Sequence, residues 1–86
     1  MHIEDINEPI KVRADFWPGG KIIPRLFKRE DRTFTITSVN ATWEDREGNN
    51  SLLYFAVLTD RSEDTFQLCF RQQDRTWWLQ QVMMEG

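Results

Sequence analysis

The order of hydrophobic and polar residues along the chain predicts β-strands. In 9–16 and in 65–70, apolar and polar residues alternate, which is the period of a strand with one buried face. The Thr, Val, Ile and aromatic residues of these segments favour pleated sheets over helices. The stretches between turn signals are short, so the pattern indicates an all-β chain.

Turn signals separate the alternating segments. Proline presets φ and glycine supplies positive φ, so Pro-Gly and Gly-Asn sequences mark chain reversals. The predicted turns are Trp17-Pro18-Gly19-Gly20, Glu47-Gly48-Asn49-Asn50 and the polar clusters 29–32, 61–64 and 72–75. The predicted strands lie near 9–16, 24–29, 33–45, 51–60, 64–71 and 76–84. We therefore predict an antiparallel meander of about six strands that forms a small open barrel or a strongly curled sheet.

One predicted strand changes phase in its middle. Phe34 and Ile36 share one parity, whereas the apolar residues of 39–43 continue on the opposite parity. A shift of one residue is what a β-bulge produces, so we predict a bulge or sharp bend near Thr37-Ser38.

Two segments, 52–58 and 77–84, carry apolar side chains on both parities. A strand that is apolar on both faces is covered on both faces, either by its own chain or by a partner. One interpretation is that the curl of the barrel buries both sets. The other is a protein interface or homodimer contact, with these candidate residues: Leu52, Tyr54, Leu58, Trp78 and Met84.

The chain has 86 residues, which suffices for one hydrophobic core and one domain, 1–86, with 1–7 as a flexible tail. Its six Phe, four Trp and one Tyr are many for a core of this size. Parity places these rings inside: Phe16, Phe34, Trp43, Phe55, Phe66, Phe70 and Trp77. The surplus rings indicate a binding protein.

Charge adds a second hypothesis. The net charge is −3, yet 9–32 carries seven basic and three acidic residues. Single-stranded nucleic-acid binders combine a basic groove with exposed aromatic rings. The hairpin 21–32 is therefore a candidate nucleic-acid module, with these residues as its patch: Trp17, Arg25, Lys28, Arg29 and Arg32. The alternative is that Lys and Arg only protect strand edges from pairing.

The residues also resemble a protein family. The pattern comprises Glu8-Pro9-Ile10-Lys11-Val12, Pro24-x-x-Phe27, Phe34-x-Ile36-x-x-Val39-x-x-x-Trp43, Phe55-x-Val57, Thr65-Phe66-x-Leu68 and Trp77-x-Leu79-x-x-Val82. It is similar to a small bacterial all-β domain family of unknown function, some of whose relatives are associated with translesion DNA polymerase-like proteins. The resemblance implies a β fold and a core position for Phe27, and it carries no catalytic group.

Candidate catalytic chemistry is sparse. His2 is the sole histidine and lies in the predicted tail, so no positioned base supports a nucleophile. Cys69 is interpreted as a small inert side chain on the sheet, and the acidic loops at 44–47 and 60–64 as solvated turns. We expect no enzyme activity, no cofactor, no metal site and no membrane segment, and a cytoplasmic location.

Overall fold

In the computed structural model, which describes residues 2–85, the chain forms six antiparallel strands. They are β1 (His2–Phe16), β2 (Ile22–Arg29), β3 (Arg32–Glu47), β4 (Asn50–Thr59), β5 (Thr65–Arg71) and β6 (Thr76–Met84). Each strand pairs with the next, and β6 pairs with β1, so the sheet closes into a barrel. The predicted all-β antiparallel meander is confirmed.

Strand β1 begins much earlier than the sequence predicts. His2 pairs with Met84 and Asp5 pairs with Gln81, so the segment expected to be a flexible tail is part of the sheet from His2 onward; Met1 lies outside the described residues. Without this segment, β6 would present a row of unpaired backbone groups along its edge. The N-terminal strand therefore closes the barrel.

The core lies inside this barrel. Phe27, Val57, Leu68 and Leu79 have no solvent-exposed surface, and they pack with other apolar residues of β4, β5 and β6. The remaining buried members of this cluster are Phe55, Phe66, Phe70, Trp77 and Val82. Phe27 stacks on Phe34 with ring centroids 4.8 Å apart. Most of the aromatic rings assigned to the core by parity are therefore in it.

Strand β3 contains the predicted bulge and a second one. Its register against β4 shifts between Ile36 and Ser38, as the phase change predicts, and again between Val39 and Ala41. The second shift returns the strand to its first phase, so Trp43 lies on the outer face opposite Tyr54. Trp43 is 41% exposed, and the prediction that it points into the core is wrong.

A bulge in β6 moves an apolar side chain the other way, from the expected outer face into the core. Gln67 pairs with Gln81 and Leu68 pairs with Leu79, which leaves Gln80 as an extra residue in β6. Beyond it the parity is inverted, and Met84 packs against the core cluster instead of lying on the outer face with Trp78.

Phe16 was also expected in the core and is 64% exposed. It is the last residue of β1, at the rim of the barrel, where its ring meets only the edge of Phe70 at 6.0 Å. Residues 2–85 contain no helix that is long and apolar enough to cross a membrane.

Candidate outer-face aromatic groove

The candidate interface residues lie on the outer face of β4 and β6, with the exception of Met84. Tyr54 pairs with Cys69, and Cys69 pairs with Trp78, so these three residues form one row across β4, β5 and β6. Leu58 is half-buried. Leu52 is only 6% exposed, so it supports the face without offering contact area.

Trp43 extends this row onto β3. Its ring stacks on the Tyr54 ring with centroids 5.2 Å apart and planes 12° from parallel. At the other end of the row, the Arg71 guanidinium lies 4.5 Å from the centre of the Trp78 ring. One face of Trp78 is therefore covered by its own chain, whereas Trp43 is 41% exposed and makes its stack with the half-buried Tyr54 the more open part of this row.

A groove of about 430 Å³ runs from this aromatic pair across the sheet to β1. It is lined by Asp5, Asn7, Trp43, Asp45, Tyr54, Gln67, Gln80 and Gln81. We call this surface the outer groove. Its lining surface is almost entirely polar, with acidic and amide groups, with Trp43 and Tyr54 at one end, and with no basic side chain among the residues that the structure describes.

The amide side chains of the outer groove hold one another in place. The Gln67 amide nitrogen donates to the Gln80 side-chain oxygen at 2.6 Å, and the Gln81 amide nitrogen donates to the Gln67 oxygen at 2.9 Å. The bulge brings Gln80 and Gln81 onto the same face, which makes this chain of hydrogen bonds possible. These hydrogen bonds restrict the glutamine side chains that form the floor of the groove.

Burial affects the ionisable groups beside the aromatic pair. Burial raises the pKa of the Tyr54 hydroxyl, with smaller contributions from neighbouring charges such as Asp45, and a hydrogen bond with Gln80 acts in the opposite direction. Burial likewise raises the pKa of the Cys69 thiol, which is 3% exposed. Both groups are therefore neutral at pH 7, and a neutral, buried thiol is a weak nucleophile; the interpretation of Cys69 as inert stays a prediction.

The residues of the candidate nucleic-acid patch do not form one surface. Trp17 follows β1 at one end of the barrel, whereas Arg29 and Arg32 flank the β2–β3 turn at the other, and β2 is roughly 25 Å long. Arg25 donates to Asp15 at 2.8 Å. Strand β2 runs the length of the barrel, so proximity in sequence does not become proximity in space.

Arg29 belongs to a separate cluster at the mouth of the barrel. Its guanidinium donates two hydrogen bonds to the Glu8 carboxylate, at 3.2 and 3.1 Å. The hydrogen bond with Glu8 raises the pKa of Arg29 despite the opposing effect of burial. This arginine is engaged with its own chain.

A basic surface on β1 and β2 combines Lys28 of the predicted patch with Lys11 and Arg13, which the predicted patch did not include. Lys11 and Lys28 are direct cross-strand partners, and Arg13 lies opposite Leu26. All three basic side chains are exposed, and they border a groove of about 320 Å³. Like charges directly opposite each other repel. This surface is therefore suited to binding an anion, which would relieve the repulsion.

Within the described range 2–85, no group of three or more His, Cys, Asp or Glu side chains is arranged to hold a metal ion. Comparison with protein-family models, with curated proteins and with solved structures gave no match, and the family resemblance of the sequence stays a prediction.

Proposed function

We propose that this chain is a non-catalytic protein-interaction module that binds a partner protein in the outer groove. The observation that carries this proposal is the open Trp43–Tyr54 stack beside an ordered row of glutamine side chains. Tryptophan and tyrosine are the residues that most often anchor protein interfaces, because they bury a large area with little loss of side-chain entropy.

The composition of the groove favours a different protein over a second copy of this chain. In a two-fold dimer that pairs this groove with itself, the acidic residues Asp5 and Asp45 of both copies would be brought into one interface. Unpaired like charges in such a contact are costly. We therefore expect sedimentation equilibrium to show a monomer, and a groove-mediated dimer would contradict this reasoning.

A selection experiment tests the proposal. A display library of random peptides would be selected on the parent protein and counter-screened on Trp43→Ala, with Trp17→Ala as a matched control. Trp17 is also an exposed tryptophan, at 53%, but does not line the groove. We expect peptides whose affinity falls about 30-fold on Trp43→Ala, as for an interface anchor worth about 2 kcal/mol, and is unchanged on Trp17→Ala.

The same experiment can refute the proposal. It fails if no peptide is enriched, or if the enriched peptides bind Trp43→Ala as well as they bind the parent protein. Circular dichroism of both variants checks that each retains the β fold, and both substituted side chains are exposed, so we expect no loss of structure.

A second candidate function is nucleic-acid binding, supported by the facing Lys11–Lys28 pair and the adjacent Arg13. Three phosphate contacts to a single strand predict a slope of about −2 in log K against log salt. Fluorescence anisotropy of a labelled oligothymidine measures this slope, with Lys11→Gln/Lys28→Gln as the test variant. Absence of binding at low salt would exclude this function for the β1–β2 face.

A further inference from the structure

We infer that the outer groove selects a basic segment of its partner, one that carries two arginine or lysine side chains spaced to meet its two acidic ends. This inference rests on the proposed function and adds the chemical class of the ligand. Three features of the groove carry it: the sign of its charges, the position of those charges and the chemistry of its aromatic pair.

The charged groups of the groove are all acidic. Asp5 and Asp45 line it, both are exposed, and no lysine or arginine lines it in the described part of the chain. Asp45 is held in place because one of its carboxylate oxygens accepts a hydrogen bond from the Arg46 backbone nitrogen at 2.7 Å. The second carboxylate oxygen of Asp45 can accept a hydrogen bond from a partner.

The two carboxylates lie at opposite ends of the groove. Asp5 is on β1 and Asp45 is on β3, with β6, β5 and β4 between them. Four inter-strand spacings of about 4.8 Å, about 19 Å in all, separate them across the strands, and Asp45 is displaced by four residues along β3 from the row that contains Asp5. An extended peptide advances about 3.4 Å per residue. Two basic residues about five positions apart span most of this separation, and the length of their side chains covers the rest.

The aromatic pair suits a cation approaching Asp45. Trp43 presents its ring beside this carboxylate, on the same strand and two residues away. A guanidinium packs favourably over a tryptophan face and at the same time donates hydrogen bonds to a carboxylate. The Arg71 guanidinium already packs over the Trp78 ring in this molecule. The Trp43 ring offers an equivalent surface with no basic group of its own chain lining the groove beside it.

The middle of the groove is neutral and polar. Gln67, Gln80 and Gln81 present amide groups that can hydrogen-bond to the backbone of a bound segment. An anionic ligand, such as a phosphate chain, would meet a carboxylate at each end. The groove and the basic β1–β2 surface are therefore complementary to ligands of opposite charge.

The test uses a defined probe. A seven-residue peptide of serine and glycine, with one tyrosine in the centre and arginine at positions 1 and 6, is compared with the same peptide carrying citrulline at both positions. Citrulline keeps the size and the hydrogen-bonding group of arginine but has no charge. Binding is followed through the side-chain signals of Trp43, Gln80 and Gln81 in nitrogen-15 NMR spectra.

We expect the arginine peptide to shift these signals and the citrulline peptide to bind about tenfold more weakly, as two exposed ion pairs supplemented by a cation–π contact predict. The double variant Asp5→Asn/Asp45→Asn should reduce the affinity for the arginine peptide by a smaller factor, because it removes the ion pairs and leaves the cation–π contact with Trp43. Asp31→Asn, which removes an exposed carboxylate at the β2–β3 turn, is the matched control and should leave it unchanged.

Several outcomes would overturn the inference. Equal binding of the two peptides shows that the groove does not select a cation, and no shift with either peptide shows that this basic segment is not its ligand. In both cases, peptides selected by display that depend on Trp43 would still support a protein-interaction role. An empty display selection would remove the proposed function too.

Discussion

The β2–β3 turn stores backbone strain that a double substitution should release. Arg29 and Arg32 are the last paired residues of the hairpin, so its loop consists of Glu30 and Asp31 alone. Their φ angles are +51° and +62°, the left-handed region required at both central positions of a type I′ turn. Asparagine and glycine suit these two positions, whereas a glutamate carries the full cost of its Cβ.

We predict that Glu30→Asn/Asp31→Gly raises the free energy of unfolding. Relief of about 1 kcal/mol at Glu30, and somewhat less at Asp31, gives a total gain of about 1–2 kcal/mol. For a domain of this size, each kcal/mol corresponds to a rise in Tm of about 4–8 °C. Thermal and urea unfolding followed by tryptophan fluorescence measure the gain, and the m value should stay constant because the barrel itself is unchanged.

The control must separate backbone strain from charge. Glu30→Gln/Asp31→Ala removes the same two carboxylates and leaves non-glycine residues at positive φ. If this control is stabilised as much as the Asn-Gly variant, the gain comes from charge and the argument from backbone strain is refuted. A loss of stability in the Asn-Gly variant would show that the turn does not have the type I′ conformation.

Three further predictions concern groups whose surroundings differ from water. Tyr54 is the sole tyrosine, so absorbance at alkaline pH reports the ionisation of Tyr54 alone, and its pKa should lie above 10.0. The folded state holds the Tyr54 proton more tightly than the unfolded state does. The stabilising contribution of Tyr54 is therefore complete below pH 10 and is lost as the pH rises through the raised pKa. Cys69 should react with a thiol reagent at pH 8 far more slowly in the folded protein than in denaturant, and rapid reaction of the folded protein would contradict its burial. Glu8→Gln should lower the free energy of unfolding in urea by about 1 kcal/mol, because it leaves the half-buried Arg29 without its carboxylate. Asp15→Asn, which breaks the more exposed pair with Arg25, should lower it by less than about 0.5 kcal/mol. Equal losses would contradict the difference in burial between the two pairs.

The sequence predicted the fold because its local signals agree with one another. The turn at Trp17-Pro18-Gly19-Gly20 contains the residues that its backbone requires, with both glycines at positive φ. Each strand except β1 begins and ends within two residues of its predicted bounds. β1 was predicted too short because the pairing of His2–Asn7 depends on β6, almost eighty residues away in sequence. Alternation cannot reveal a partner strand, and 2–7 carry little of it.

The candidate site was harder to predict because alternation along a strand shows which side chains are buried only until a bulge shifts the register. The bulge near Thr37 was visible because apolar residues lie on both sides of it, on opposite parities. The second bulge of β3 lies between apolar residues that continue on one parity, so nothing in the pattern indicates it. Trp43 was therefore assigned to the core. The acidic groups of the groove lie on strands distant in sequence and carry no common motif.

The bulge in β6 connects the core of this protein with its groove. If Gln80 were an ordinary paired residue instead of the extra residue of a bulge, the strand beyond Leu79 would keep its parity, and Val82 and Met84 would turn to the outer face. The groove would then lose Gln81 and its hydrogen bond to Gln67 and gain apolar side chains, while the core would lose Val82 and the packing of Met84. The bulge thus determines which side chains of β6 fill the barrel and which line the outer groove. Bulges are enriched beside binding sites, where they redirect side chains. The bulge of β6 lies in the lining of the outer groove, so the feature that completes the core also builds the surface on which the proposed function depends.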